Sequence, residues 1–320
     1  MLILKYLFYI FVFPGFLFCF FAGLILAGID RKIVARMQKR IGPPILQPFY
    51  DFFKLMGKET IIPNSAAKRT FIAAPVAGLI SLVTISLFIP IFKFSAFNAV
   101  ADVIVIIYLL TIPAVSLIIG GSSSGSPYAG VGISREMVSI VSYELPLIIA
   151  LLAVGKKAGM AVNDGMVTFS LSKIVEYQSL KGPMLFHWSM IPAFLAMLFV
   201  IPCEVGSLPF DIAEAEVEIC EGPLVEYSGF PLGIYKLNYA LKIFIFSSLF
   251  VTLFLSGNGT GIILFDAAIQ YVLCIIVVIL SVSLIRAVTA RLRVEQMLKF
   301  YWTYPTALSI LSLILVWLGL

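Results

Sequence analysis

Charged side chains are scarce in this sequence. Only 12% of its 320 residues are charged, 61% are hydrophobic, and the mean hydropathy is +1.07. A soluble domain has about 25% charged residues. The shortage of charge excludes a soluble globular enzyme, a disordered chain and a nucleic-acid-binding protein, and it indicates a multi-pass membrane protein. In a membrane protein, a net charge of +5 reflects how the chain is oriented across the membrane and which surfaces dock partners.

Residues that bind metals and cofactors are also rare. The four cysteines (Cys19, Cys203, Cys220 and Cys274) form no C-x-x-C motif, which argues against an iron–sulfur cluster or a structural zinc site. The single histidine, His187, cannot form a bis-histidine haem site. Glycine-rich nucleotide motifs and nucleophile motifs are missing too. We therefore expect no catalytic residue, metal or redox cofactor in this chain, and any electrons to travel in a partner subunit.

Long apolar runs make up most of the chain. A transmembrane helix needs about 20 mostly apolar residues. Eight segments meet this requirement: 7–29, 71–92, 100–119, 137–154, 185–201, 239–255, 267–285 and 301–320. The sequence predicts an all-α membrane protein, with about eight transmembrane helices bundled into a single domain over residues 1–320. The first run has no signal-peptide cleavage motif before Asp30, so we interpret it as a retained helix.

Lysine and arginine set the predicted orientation of the bundle. They are concentrated in the loops that follow the first, third, fifth and seventh helices. The positive-inside rule places these odd-numbered loops in the cytoplasm and both termini outside. The sequence thus predicts a multi-pass protein of the cell membrane whose cytoplasmic loops carry the function.

The first of these loops, residues 30–70, is strongly basic. Its first part has more positive charge than orientation requires: Arg31, Lys32, Arg36, Lys39 and Arg40. Pro43 and Pro44 end any helix there. Two interpretations of the charge stay open, an anchor on lipid and a docking platform for a cytoplasmic subunit.

The same loop contains a predicted amphipathic helix over residues 49–59. On a helical wheel the apolar and charged side chains fall on opposite faces: Phe49, Phe52, Phe53 and Met56 on one, and Asp51, Lys54 and Lys58 on the other. This pattern is typical of a helix that lies along a membrane surface. We therefore expect a cytoplasmic surface helix between the first two transmembrane helices.

Glu144 lies inside the fourth apolar run. It is about seven residues into that run, or ~10 Å below the surface at the helical rise per residue. An ionisable group at this depth costs ~2.5–3.5 kcal/mol on insertion scales and commonly marks an ion path. We interpret Glu144 as a proton carrier, with a static hydrogen bond to a neighbouring Ser or Tyr as the alternative.

The fifth loop, residues 203–238, is acidic. Its carboxylates are Glu204, Asp211, Glu214, Glu216, Glu218, Glu221 and Glu226. Acidic residues do little to set topology, so their concentration here indicates a function. A loop that is merely solvated is the alternative interpretation.

The spacing within this loop predicts a short helix. Asp211 begins it, in a pattern resembling a capping box, and Gly222 with Pro223 ends it. Most acids of this helix would share a polar face: Glu214, Glu218 and Glu221. Glu216 would lie on the opposite, apolar face, which makes it a second candidate proton carrier.

Three segments resemble a known family. They are DRKIVARMQKRIGP…LQPFYDFFKLMGKE, PFDIAEAEVEICEGPLVEYSG, and the SYE of Ser142–Glu144. All three look like the signature of the complex I membrane subunit beside the quinone cavity. The resemblance implies contact with a cluster-bearing peripheral arm, antiporter-like membrane subunits as partners, and an ion or proton relay. The relay would consist of Glu144, Glu204, Asp211, Glu214, Glu216, Glu218 and Glu226.

Departures from the family pattern favour one branch. The segment RIGPPILQP is shorter than in quinone-reducing members, and Ser207 stands where they have an arginine. The segment GSPYAGVGISREM, with Arg135 and Glu136, is similar to the energy-converting hydrogenases. The resemblance therefore implies a relative of the membrane-bound nickel–iron hydrogenases and the archaeal sulfane-sulfur reductases, both of which accept electrons from ferredoxin.

The predicted function combines anchoring with coupling. We expect a subunit that links redox chemistry in its partners to the movement of protons or sodium ions. The partners would be iron–sulfur and hydrogenase-like subunits. They alone would hold the iron–sulfur clusters and any nickel–iron site. The expected docking residues are Arg31, Lys32, Arg36, Lys39, Arg40, Arg135 and Glu136. The alternatives are a quinone-site subunit of complex I, a purely structural anchor, and an independent transporter. The last is disfavoured because the second, seventh and eighth runs contain no charge.

Overall fold

The computed structural model describes residues 2–90, 102–162, 166–257 and 263–319. Within these ranges the regular structure is helical and contains no strand. The predicted ends at residues 92, 100 and 320 lie outside the described residues.

The α-helices follow one another with short connections. In chain order they are α1 (Leu2–Phe11), α2 (Phe16–Met37), α3 (Gln47–Met56), α4 (Lys68–Phe88), α5 (Val103–Ser124), α6 (Pro127–Val162), α7 (Leu171–Lys181), α8 (Ile191–Val205), α9 (Glu216–Ile219), α10 (Gly229–Phe254), α11 (Ile263–Val278), α12 (Leu284–Val288) and α13 (Val294–Trp317). A π-helical turn, Ile279–Ser283, joins α11 to α12.

Among the described residues, eight stretches are long and apolar enough to cross a membrane, which confirms the predicted number. They are Leu4–Met37, Lys68–Phe88, Val103–Ser124, Pro127–Met160, Trp188–Val205, Gly229–Phe254, Phe265–Val288 and Val294–Trp317. The all-α membrane bundle predicted from the sequence is therefore the fold of this chain.

Helix α10 forms the centre of the bundle. It contacts α2, α3, α4, α8 and α11, and nearly all of its side chains from Leu237 onward are buried. Lipid tails are as apolar as these side chains, so moving them from lipid into the bundle gives no hydrophobic gain. Close packing and interhelical hydrogen bonds therefore hold the helices together. Asn238 donates a 3.1 Å bond to the carbonyl of Pro75 on α4, and Tyr235 donates one of 3.1 Å to the carbonyl of Ser116 on α5.

Two of the prolines inside the spanning helices, Pro75 and Pro305, are compensated by side-chain hydrogen bonds. A proline has no N–H, so the carbonyl four residues earlier loses its helical partner. For Pro75 this carbonyl belongs to Phe71, and the Tyr227 hydroxyl donates to it at 3.1 Å. For Pro305 the carbonyl of Tyr301 accepts from the Thr306 hydroxyl at 2.8 Å.

The first basic segment is helical, where the sequence predicted a loop from residue 30. Helix α2 continues to Met37, so Arg31, Lys32 and Arg36 project from its last turns. The helix ends where Lys39 and Gly42 adopt positive φ values of 59° and 73°, and the chain folds back on itself. Between this turn and α3 no helix forms, as the two prolines predicted.

Helix α6 is also longer than predicted. The glycine- and serine-rich segment before Arg135 was expected to be a loop, but it forms the end of α5 and the first turns of α6. Gly125, with φ 72°, ends α5, and Pro127 begins α6 because its fixed φ suits a first helical position. Glu144 consequently lies near the middle of α6 rather than near its start.

A helix, α3, forms close to the position predicted for the surface helix. Phe52 is buried against Phe20 of α2, with ring centroids 5.2 Å apart. Phe53 and Met56 are 61% and 42% exposed. The apolar face is thus divided between the bundle and the outside, and contact of its outer part with a membrane surface stays a prediction.

Candidate functional site

A cavity of about 650 Å³ opens where α2, α10 and the segment between α8 and α10 meet. We call residues 206–228 the acidic segment. Charged side chains of both signs line the cavity: Arg31, Arg40, Lys236, Arg286 and Arg291, together with Asp211, Glu214, Glu216 and Glu221. This charged cavity brings together the basic and acidic loops that the sequence singled out separately.

The sequence predicted a helix from Asp211 to Glu221, but this stretch contains only a single α-helical turn, α9, and a 3-10 turn, Gly222–Leu224, follows it. Cys220 and Glu221 adopt positive φ values of 50° and 68°, which stops the helix. Gly222 follows with φ 51°, and its lack of a side chain allows the close approach of the Ala213 carbonyl. The predicted helix faces were therefore wrong.

The exposure of Glu214 and Glu216 is the reverse of what the predicted helix implied. Glu216 is exposed, and Glu214 is the carboxylate that is partly enclosed. Burial raises the pKa of Glu214 to about 7, although the positive charge of Lys236 opposes the change. A carboxyl group with this pKa can take up and release a proton near neutral pH.

Glu204 lies at the end of α8 and is only 3% exposed. Its Oε1 atom has no hydrogen-bond partner among the described residues. The Tyr143 hydroxyl interacts with the carboxyl group, and Lys242 Nζ donates to the backbone carbonyl of Glu204 at 3.2 Å. A buried carboxyl group with one oxygen unpaired is suited to exchanging a proton.

Two glutamates of α6 extend this arrangement. Glu136 is electrostatically coupled to both Glu214 and Glu204, and Glu144 is coupled to Glu204. These pairwise interactions connect the four groups in the order Glu214, Glu136, Glu204, Glu144, and Glu214 lines the charged cavity. We call this series the carboxylate row. The sequence had placed Glu136 among the docking residues, and in the structure its charge acts on two relay candidates, Glu204 and Glu214.

Ion pairs hold the acidic segment against the bundle. Arg291 Nη2 lies 2.7 Å from Asp211 Oδ2, and Arg291 Nε donates to the same carboxylate. Arg135 Nη1 lies 2.6 Å from Glu218 Oε2, which ties α6 to α9. Two-point arginine–carboxylate contacts fix orientation as well as distance. The charge of Arg135, predicted to serve docking, is thus already paired within the chain.

Arg286 lines another wall of the cavity and forms an ion pair with a buried aspartate, Asp30. Asp30 is 1% exposed, accepts a 2.6 Å hydrogen bond from the Ser283 hydroxyl, and lies 3.0 Å from Arg286 Nη1. Ser283 ends the π-helical turn, and such turns are frequent at functional sites. The neighbouring Arg31 pairs with Asp51 of α3 at 3.0 Å.

The other predicted docking residues lie at the mouth of the cavity or next to it. Arg36, Lys39 and Arg40 are exposed, Lys32 is partly buried, and Arg40 donates to the side chain of Gln38. Only Arg31 and Arg40 of the basic set line the charged cavity itself. These positions leave most of the basic set accessible to a partner.

The predicted relay residues do not form one group. Asp211, Glu214 and Glu216 line the charged cavity, whereas Glu204 is buried at the end of α8 and Glu144 is half-buried near the middle of α6. The remaining two lie outside both places: Glu218 is paired with Arg135, and Glu226 is partly buried in a turn of the acidic segment.

Several charged residues of the site were missed in the sequence. They are Asp30, Lys236, Lys242, Arg286 and Arg291. The two lysines interrupt an otherwise apolar helix, and a charge in such a place is a usable signal for function. The two arginines lie in the loop after the seventh helix, where they were counted only as orientation charges.

Metal ligation is absent from the described part of the chain. No three His, Cys, Asp or Glu residues there are arranged to hold a metal ion. Its four cysteines are free and separate, so they do not form the ligand set of an iron–sulfur cluster.

A family model supplies the decisive comparison. The model for NADH dehydrogenase matches residues 9–317. The chain belongs to this family. The match covers all eight candidate spans nearly completely, and it confirms the resemblance seen in the motifs of the first and fifth loops.

Individual relatives come from several kinds of complex. Hydrogenase-4 component C of Escherichia coli is 37% identical over 229 residues, which are 71% of this chain and 69% of that protein. A subunit of the NADH-quinone oxidoreductase of Dehalococcoides mccartyi is 30% identical over 91% of this chain and 81% of its own length. Formate hydrogenlyase subunit 4 of E. coli is 31% identical over 87% and 89%.

A solved structure agrees with this grouping. A chain of the membrane-bound sulfane sulfur reductase, an archaeal respiratory membrane complex, has a TM-score of 0.83 and 33% identity, covering 93% of this chain and 96% of its own. Together these findings identify the chain as a membrane subunit of a complex I-like respiratory complex. They include both branches that the sequence motifs indicated, the hydrogenases and the sulfane sulfur reductases.

Proposed function

We propose that this chain anchors a peripheral redox module and couples its reaction to the movement of protons or sodium ions. The module would consist of iron–sulfur and hydrogenase-like subunits docked at the basic residues around the charged cavity. Antiporter-like subunits would lie farther along the membrane. In this proposal the odd-numbered loops are cytoplasmic and both termini are outside, as the distribution of lysine and arginine favours.

The carboxylate row is the observation that carries the proposal. It begins at Glu214 beside the charged cavity and continues through Glu136 and Glu204 to Glu144. A purely structural anchor has no need of four coupled carboxylates, and an ionisable group at membrane depth is costly to keep. The row therefore favours an ion or proton relay over the anchor alternative.

The mechanism that follows is electrostatic. Proton uptake or reduction in a docked partner changes the charge next to the cavity, and Glu214 responds because its pKa of about 7 lets it exchange a proton. Charges interact more strongly in a medium of low dielectric constant than in water, so the remaining carboxylates respond as a coupled set. The chain's own residues thus hold and transfer protons, while the electron transfer takes place in the partners.

A ferredoxin-dependent hydrogenase or sulfane-sulfur reductase is the complex that we favour. The contracted first loop and Ser207 depart from the quinone-reducing pattern, and the cavity wall is lined by charges of both signs. A quinone ring prefers an apolar slot with a few polar contacts. The quinone-site subunit of a complex I is therefore the second candidate.

Glutamine substitution tests the relay. In vesicles containing the native complex, ferredoxin-driven turnover and ion uptake are measured together for Glu204→Gln and Glu144→Gln. Each change keeps the side chain's size and removes its exchangeable proton, so we expect at least a tenfold loss of uptake. Glu59→Gln is the matched control, because Glu59 is exposed and lies outside the carboxylate row and the charged cavity.

Two outcomes would contradict the proposal in different ways. If both glutamine variants take up ions at the wild-type ratio to electrons, the row is no relay and the anchor interpretation is preferred. If the purified chain is a stable, active transporter without cluster-bearing subunits, the anchoring part is wrong. Metal analysis of the native complex distinguishes a hydrogenase, which contains nickel, from the other candidates.

A further inference from the structure

A second cavity, of about 330 Å³, lies beneath the surface helix α3. It is formed by α2, α3 and α10, and it adjoins the charged cavity because Arg31, Lys236 and Tyr239 line both. Its volume falls in the ~300–1,000 Å³ range of small-molecule sites. Nothing in the proposed relay uses this second cavity.

The walls of the second cavity are apolar. Helix α2 contributes Leu24 and Ala27, α3 contributes Phe52, and α10 contributes Leu237 and Ala240, all of them buried or nearly so. Such a lining suits hydrocarbon, since lipid and side chain are equally apolar. A free inorganic anion would make no use of it.

The rim of the second cavity is basic. Lys54 of α3, Lys58 just after α3 and Lys236 of α10 all line this cavity, and all three side chains are exposed. The one carboxylate of the lining, Asp51, is already paired with Arg31 at 3.0 Å. Lys54 and Lys58 form no ion pair within the described ranges and are exposed. At Lys54 and Lys58 the rim therefore presents positive charge that no described carboxylate pairs with, whereas the charge of Lys236 also acts on Glu214 in the charged cavity.

We propose that the second cavity binds an anionic phospholipid, with its phosphate between Lys54, Lys58 and Lys236 and its first acyl methylenes between α2 and α10. The positive charge of the rim complements the negative phosphate of the headgroup, and the apolar walls suit the acyl chain of the lipid. Helix α3 places the opening at the level where headgroups lie, if it follows the membrane surface as its exposed Phe53 and Met56 favour. The bound lipid would join α3 to α10 at the edge of the charged cavity.

Lipid titration of the full chain, purified in a nonionic detergent with the subunits that accompany it, tests this proposal. Bound phosphatidylglycerol and phosphatidylcholine are counted by native mass spectrometry. We expect one retained phosphatidylglycerol and no retained phosphatidylcholine. In Lys54→Gln/Lys58→Gln the affinity should fall roughly tenfold to thirtyfold, since each basic residue near an anionic headgroup contributes about 1 kcal/mol.

Matched variants separate the site from general surface charge. Lys54→Arg/Lys58→Arg should retain the lipid. Lys68→Gln/Arg69→Gln, which removes two exposed charges at the start of α4, should retain it too. Loss of binding in that control pair would overturn the proposal, because any basic surface would then suffice.

Competition decides between possible occupants. Millimolar inorganic phosphate should not displace the lipid. Displacement by phosphate would mean a simple anion site. Displacement by an uncharged quinone, unaffected by the lysine substitutions, would mean a quinone passage. Either result would overturn the lipid proposal, and both leave the relay tests at Glu204 and Glu144 unaffected.

Discussion

Lys242 Nζ donates a 3.2 Å hydrogen bond to the backbone carbonyl of Glu204. The same ammonium group is electrostatically coupled to the carboxyl groups of Glu136, Glu204 and Glu214. Lys242 is thus the positive charge shared by three of the four members of the carboxylate row. It offsets the repulsion that neighbouring carboxylates would otherwise have in a medium of low dielectric constant.

Replacement of this lysine tests its part in the relay. Lys242→Met keeps the length of the side chain and removes the charge, so the pKa of Glu214 should rise above its value of about 7. We expect ion uptake per electron to fall about tenfold, because a Glu214 with a higher pKa releases its proton less readily. The measurement is uptake into vesicles during turnover.

The control for this lysine lies on the surface of α13. Lys299→Met removes an exposed charge far along the chain from the row and should leave the uptake ratio unchanged. If Lys242→Met takes up ions at the wild-type ratio to electrons, the carboxylate row functions without the charge of Lys242. The electrostatic mechanism would then be wrong.

The number of helices and the two functional loops could be predicted from the sequence. Apolar runs and motif spacing depend on local composition, and the predictions made from them were confirmed by the eight spans and the family match.

The ends of the helices were less predictable. Serine and glycine before Arg135 are poor helix formers in water, yet in a bundle the backbone must satisfy its own hydrogen bonds, so α6 begins at Pro127.

The acidic segment shows what the sequence could not reveal. The spacing of its glutamates suited a helix, but two consecutive residues, Cys220 and Glu221, adopt left-handed backbone conformations that no pattern of side chains encodes. The pairing of Asp211 with Arg291 is equally non-local, because 80 residues separate the two partners. Glu214 therefore took the enclosed position predicted for Glu216.

The raised pKa of Glu214 predicts a pH dependence of stability. Its ordinary pKa is 4.5 and rises to about 7 in the folded protein. Between these values the folded state binds the proton more strongly than the unfolded state does. The stabilisation from this proton is complete below pH 4.5 and is lost as the pH rises through about 7.

Thermal unfolding in detergent between pH 4.5 and 8 measures this effect. The glutamine of Glu214→Gln is uncharged at every pH, so the variant should lose less stability than the wild type as the pH increases. Glu59→Gln is the control, since Glu59 is exposed outside the cavity. Parallel pH curves for the wild type and Glu214→Gln would show that Glu214 is charged throughout.

Docking of a peripheral arm is tested at the exposed end of α2. The triple change Arg36→Glu/Lys39→Glu/Arg40→Glu reverses three exposed charges next to the charged cavity, so a partner with an acidic surface should be repelled. We expect the chain to insert normally and the peripheral subunits to be lost on detergent extraction. The measurement is subunit stoichiometry after purification.

A matched reversal at the same end of the bundle is the control for docking. Lys68→Glu/Arg69→Glu changes exposed charges at the start of α4, away from the charged cavity. It should leave the stoichiometry intact. Equal loss of subunits in both variants would mean that total charge, and not this patch, holds the arm.

The buried pair of Asp30 and Arg286 predicts an asymmetric effect on stability. Arg286→Met leaves the Asp30 carboxylate, 1% exposed, with only the Ser283 hydroxyl as a partner. Loss of one partner of a buried ion pair costs about 3–5 kcal/mol. In the double variant Asp30→Asn/Arg286→Met no charge is left buried, and the asparagine can still accept from Ser283, so most of the lost stability should return.

Unfolding midpoints in detergent measure the stability of both variants, with Lys299→Met as the surface control. A double variant no more stable than Arg286→Met alone would show that Arg286 acts by packing, since the penalty would then not come from the unpaired carboxylate.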